Sequence, residues 1–146
     1  MPIKTFRGLI PDGGQDTIVL HTNNGSTGYK ITKLQMMPED IGASNMQGLI
    51  KIYSVKQTTL ITGSAKADFN DQTLLAAGWL DITAAAGGDA AANIVFDNMT
   101  INQDIFVTFT DNGASASCNY YIELEQVKLD LSENTVATLK DIRNLA

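Results

Sequence analysis

The sequence predicts an all-β domain: an antiparallel, jelly-roll-like β-sandwich of about eight strands, followed by a short C-terminal helix or arm. Three observations carry this expectation. The polar residues are mostly neutral, with 15 Thr, 11 Asn and 12 Gly among 146 residues; Thr is β-branched, and Asn and Gly tolerate φ > 0. Apolar side chains alternate with period two in 48–57, 103–110 and 117–129, as in strands that bury one face. Turn signals recur between such stretches, the spacing expected of a sandwich or barrel. The length suits one domain, and a domain of this size buries roughly two-thirds of its unfolded surface without metal or disulfide staples.

A first strand spans 3–10 and stops at Pro11-Asp12-Gly13-Gly14. Residues 16–22 follow, with Ile18 and Leu20 on one face, and Asn23-Asn24-Gly25 turns the chain; Asn and Gly supply the positive φ of tight hairpins. The strand 29–37 ends at Pro38, and 38–47 reads as a loop or a single helical turn. In 48–57, Leu49, Lys51, Tyr53 and Val55 alternate with Ile50 and Ile52. Apolar residues on both faces predict a central strand.

A short strand at Leu60-Ile61 leads to a polar stretch at 66–71, then to a strand over 74–83 that holds the sole Trp, Trp79. The small residues of 84–92 bury little area and read as a surface loop. Residues 94–97 and 103–110 are strands, and Asp111-Asn112-Gly113 is the strongest hairpin turn. The longest strand, 117–129, points Cys118, Tyr120, Ile122 and Leu124 inward, with Asn119, Tyr121, Glu123 and Glu125 outward. The expected core is Ile18, Leu20, Ile31, Ile50, Ile52, Trp79, Ile105, Val107, Phe109, Tyr120, Ile122 and Leu124. The sandwich is assigned to 1–131. In 132–146, Ser132 can cap a helix on which Val136, Leu139 and Ile142 form one apolar stripe.

Charge and cysteine content narrow the function. Ten basic and 16 acidic residues leave a net charge of −6, which offers no electrostatic footprint for nucleic acid. A single cysteine, Cys118, cannot close an intramolecular disulfide. The start at 1–8 has no long apolar region of the secretory kind, and no apolar run approaches the roughly 20 residues of a membrane helix. The expectation is a chain made in a cytoplasm, with no membrane partner.

Catalytic signals are weak. The one histidine, His21, stands beside an Asn-Asn-Gly turn, and neither Ser nor Cys sits in a nucleophile elbow. A lone strand-end His reads as a solvated surface residue. One His and one Cys do not make a zinc site. Asp12, Asp16, Asp68, Asp71, Asp97 and Asp111 lie in or beside loops without the spacing of an EF-hand; Asp in turns usually bonds its own backbone, though calcium stays open. Glu123 and Glu125 share a strand face and read as a solvated pair rather than a glycosidase dyad. The reading is no enzyme, no cofactor and no metal. Trp79, Tyr29 and Tyr121 are the aromatic residues that could form a carbohydrate platform, with Trp79 read first as core.

Several blocks together resemble small virion proteins of tailed bacteriophages, of the capsid decoration or cement type. They are the leaderless start at 1–8, the Thr/Asn/Gly-rich strands, Met-Thr-Ile-Asn-Gln-Asp-Ile-Phe-Val at 99–107, Tyr-Ile-Glu-Leu-Glu-Gln-Val-Lys-Leu at 121–129 and Thr-Leu-Lys-Asp-Ile-Arg-Asn at 138–144. They cover about half of the chain. The resemblance implies a protein that binds the outside of the head shell, often as a homotrimer, and clamps neighbouring major capsid protein subunits against internal DNA pressure. Ile3, Phe6, Val136, Leu139 and Ile142 are then the available partner anchors, the other reading being that both ends fold back on their own domain. A carbohydrate- or host-receptor-binding module and a neck or tail ring component remain the alternatives.

Overall fold

The structure, a computed structural model, describes residues 2–22, 26–39, 47–57, 67–81, 91–96, 99–112 and 116–129. Among these, eight strands run in chain order: β1 (Ile3–Ile10), β2 (Gln15–Ile18), β3 (Thr27–Pro38), β4 (Gln47–Tyr53), β5 (Leu74–Asp81), β6 (Ala91–Phe96), β7 (Ile105–Asp111) and β8 (Cys118–Lys128). They form a three-stranded sheet, β1-β8-β3, and a five-stranded sheet, β2-β7-β4-β5-β6. Every pairing is antiparallel. The predicted all-β sandwich is the observed fold. First pairs with last, second with seventh and fourth with fifth, as in a long hairpin rolled into two sheets. One departure from that scheme is β6, which lies near β3 but hydrogen-bonds β5.

Local chemistry explains the crossings between sheets. After β1 the Gly14 N–H donates to the Pro11 carbonyl at 2.9 Å, and Gly13 takes φ 78°. That is the positive φ a tight turn of this kind demands at its third residue. The turn carries the chain from the edge of one sheet to the edge of the other. A bulge at 31–33 places Thr32 outside the β3–β8 register, where its hydroxyl donates to the Glu123 carbonyl at 3.2 Å.

The core lies between the sheets. Ile10, Ile50, Ile52, Ile105, Val107, Phe109, Ile122 and Leu124 are fully enclosed, and Cys118 and Tyr120 join them from β8. The predicted inward set of β8 is the observed one. β4 is central, as its two apolar faces predict, with Ile50 and Ile52 inside and Leu49, Lys51 and Tyr53 also buried on the far side.

Three expectations need correction. Trp79, expected in the core, is 41% exposed, because the inward positions of β5 are Ala76 and Gly78. A Cβ at Gly78 would stand 3.2–3.4 Å from Ile94, Met36 and Ile50, so no bulky residue fits on that side. Tyr29, considered as an exposed platform, is buried and bridges to Ile101 through two backbone hydrogen bonds. β6 begins at Ala91, inside the stretch read as loop; its partner β5 supplies the ladder that small side chains alone do not signal. The expected strand at 60–61, the turns at 23–25 and the helix or arm at 132–146 lie outside the described residues.

Candidate binding surface

The two sheets differ in what covers their outer faces. On the five-stranded sheet, the chain leaving β4 crosses β7 to reach β2. There the Gln15 amide donates to the Gln57 carbonyl at 3.1 Å and accepts the Gln57 N–H at 2.9 Å. On this face Lys51, Thr108 and Thr110 are buried, and burial pushes the Lys51 ammonium below its ordinary value despite the nearby Asp71. The Thr108 hydroxyl donates to the Lys51 carbonyl at 3.3 Å. Over its β2–β7 side this face is covered by the protein's own chain.

Among the described residues, no segment covers the outer face of the three-stranded sheet. The register sets Leu9, Asn119 and Met37 in one row across it, then Arg7, Tyr121 and Gln35, then Thr5, Glu123 and Lys33, with Ile3 beside Glu125 at the far end. Leu9 is 47% exposed, Met37 62% and Ile3 52%. A depression of about 750 Å³ is lined by Leu9, Arg7, Met37 and Tyr121 together with Gly8, Gln35, Met36, Ile94, Asn119 and Tyr120. The Tyr121 hydroxyl donates to Glu123 Oε1 at 2.8 Å, and this bond holds the phenol above its ordinary pKa. The surface therefore mixes large apolar side chains with fixed hydrogen-bonding groups, the make-up of protein interfaces.

The predicted anchors separate here. Ile3 lies exposed on this open face, whereas Phe6 pairs with Ile122 and packs against the sandwich's own core. Val136, Leu139 and Ile142 lie outside the described residues. Leu9 and Met37 were missed, because nothing in the sequence tells which face of an edge strand lacks a cover.

His21 has a partner that sequence reasoning did not supply. Asp104 can only accept, so the His21 Nδ1–H donates to Asp104 Oδ1 at 2.7 Å; the same oxygen accepts the backbone N–H groups of Leu20 at 2.9 Å and His21 at 3.1 Å. The arrangement fastens the chain beyond β2 to the entry of β7. His21 itself is 56% exposed.

The loop aspartates are engaged with the backbone and with one another's strands. Asp12 Oδ1 accepts the Asp111 N–H at 2.9 Å. Asp111 in turn accepts from the Gln47 N–H at 3.0 Å and the Ala116 N–H at 2.8 Å. Asp68 and Asp71 close turns by accepting the N–H groups of Asn70 and Thr73, each at 2.9 Å. Among the described residues no three His, Cys, Asp or Glu side chains come together as metal ligands would. Asp97 lies outside them.

No family model matches this chain, and no curated protein matches it. Among solved structures it is similar to the crystal structure of Yersinia pseudotuberculosis-derived mitogen, at 14% identity over 89% of this chain and 87% of that one. The TM-score is 0.30. A score that low carries no argument.

Proposed function

We propose that this chain is a non-enzymatic structural protein of a tailed-phage virion, bound as a homotrimer to the capsid exterior, where it clamps neighbouring coat subunits. The observation that carries the reading is the open outer face of the three-stranded sheet. Ile3, Leu9 and Met37 stand exposed there on paired strands, while the β2–β7 side of the opposite outer face is covered by the chain itself. A clamp needs such a surface on a stiff scaffold and needs no cofactor. Strands positioned by a complete ladder hold these side chains at fixed spacing, which limits the entropy lost on docking. The net charge of −6 favours a position away from packed DNA. Leu9 replaces Phe6 as the second apolar anchor of β1, since Phe6 faces inward.

The test is decoration of purified heads, imaged by cryo-electron microscopy. The double variant Leu9→Asp/Met37→Asp should keep its fold, as surface substitutions usually change stability by no more than about 0.5 kcal/mol. Its occupancy on the heads should fall at least tenfold. Full occupancy by the variant removes this face as the anchor. Density for the wild-type chain on tail fibres instead of the head removes the decoration reading itself.

A further inference from the structure

Trp79 lies on the outer face of the five-stranded sheet, beyond the end of the segment that covers it. Leu49 of β4 pairs with Trp79 of β5, and one step along the strands Gln47 pairs with Asp81. On the other side of β4, the Asn112 N–H donates to the Gln47 carbonyl at 2.9 Å, which brings Asn112 to the same end. These side chains, with Ala67 at one wall, line a shallow cleft of about 380 Å³. That volume falls within the roughly 300–1,000 Å³ of small-molecule sites. The indole is 41% exposed although it belongs to the only Trp of the chain.

We infer that this cleft binds a neutral carbohydrate, one pyranose ring stacking on the Trp79 indole while Gln47, Asn112 and Asp81 hydrogen-bond its hydroxyl groups.

The chemistry of the lining selects this class of ligand. A pyranose presents a face of C–H bonds with partial positive charge, which complements the electron-rich face of an indole. Its rim of hydroxyls both donates and accepts. Gln47 and Asn112 carry amides that also donate and accept, and neither amide has a hydrogen-bond partner among the described residues. Among the described residues no Lys or Arg lines the cleft; with the Asp81 carboxylate and a net charge of −6, it disfavours phosphate and other anions. The paired strands β4 and β5 hold Gln47, Trp79 and Asp81, and the backbone bond to Gln47 fixes Asn112 beside them, so the site is organised before the ligand arrives. The inference is independent of the capsid reading, because it concerns the other sheet.

The sole Trp makes the test direct. The full chain is titrated with millimolar cellohexaose, maltohexaose, laminarihexaose and chitohexaose and applied to a broad glycan array. Tryptophan emission and the single indole N–H resonance report the cleft itself. At least one neutral glycan should shift both signals saturably. Trp79→Ala should abolish array binding with an unchanged melting temperature, Trp79→Phe should retain part of it, and Gln47→Ala should weaken it about 2- to 10-fold, the range of one lost hydrogen bond. Silence of both signals across the panel and the array overturns the inference. So does binding that survives Trp79→Ala, or an indole shift that follows only protein concentration, since a second copy would then be what covers Trp79.

Discussion

The Tyr120 hydroxyl donates to Asp16 Oδ2 at 2.9 Å, linking β8 of one sheet to β2 of the other. The ring reaches that carboxylate by lying over Gly8, where a Cβ would come within 3.0 Å of the phenolic oxygen. A glycine opposite a tyrosine in the β1–β8 register thus lets one side chain bridge the sandwich at its edge.

Replacing Tyr120 by Phe should cost about 1.5–3 kcal/mol in urea unfolding, the usual worth of a hydrogen bond to a charged group. Burial, then the Asp16 bond, holds the phenol above its ordinary pKa in the folded state. Unfolded Tyr ionises near pH 10, so this stabilisation is complete below about pH 10. It is lost as pH rises further. The wild type should therefore lose stability above pH 10 more steeply than Tyr120→Phe, and equal slopes would refute the link.

Asp104 contributes on the acid side. Its partial burial favours the protonated form, but the hydrogen bonds from the His21 ring and from the His21 and Leu20 N–H groups outweigh that and keep its pKa below the ordinary value. The unfolded carboxyl titrates near pH 3.9. The contribution is therefore full above that pH and disappears as pH falls through the lower folded value. Asp104→Asn should cost about 0.5–1.5 kcal/mol at pH 7 and flatten the acid limb of the stability profile. An unchanged limb would place the acid sensitivity elsewhere.

Cys118 is fully buried, and burial pushes its thiol up to about 11. Reactivity follows the thiolate and its access. A thiol reagent such as dithionitrobenzoate at pH 8 should label the denatured chain within seconds and leave the native protein unlabelled for hours. Rapid native labelling would mean that the end of β8 opens easily.

Ile122 is completely enclosed at the centre of β8. Ile122→Ala should destabilise by about 2–5 kcal/mol. Gly28→Ala is the complementary test by addition. A Cβ there would meet Thr100 at 2.7 Å and Leu129 at 3.1 Å, and overpacking of this kind costs about 1–3 kcal/mol. A loss under about 0.5 kcal/mol in either variant would contradict the packing described.

Alternation made β8 and β4 legible, because a period of two assigns each residue to a face without knowledge of the neighbours. The same rule points Trp79 outward. The size of an indole argues for the core, but Ala76 and Gly78 occupy the inward parity of β5 and leave Trp79 on the outer face. Tyr29 was hidden by a contact with Ile101, far along the chain. The Asp104 contact to His21 spans 83 residues and has no local trace. The open face carrying Ile3, Leu9 and Met37 depends on which segments cross which sheet, information that exists only in the assembled fold.

The central position of β8 has a consequence for how the chain is made. β1 and β3 do not pair with each other; each meets only β8 in the three-stranded sheet, with Ile3 opposite Glu125 and Thr27 opposite Lys128. On a ribosome the two earlier strands must wait for their sheet partner until β8, about a hundred residues later, has emerged. Closing such long loops slows folding. Until then their bare edges can capture strands of neighbouring nascent chains. Synthesis therefore sets this topology a race, between the arrival of β8 and aggregation through β1 and β3.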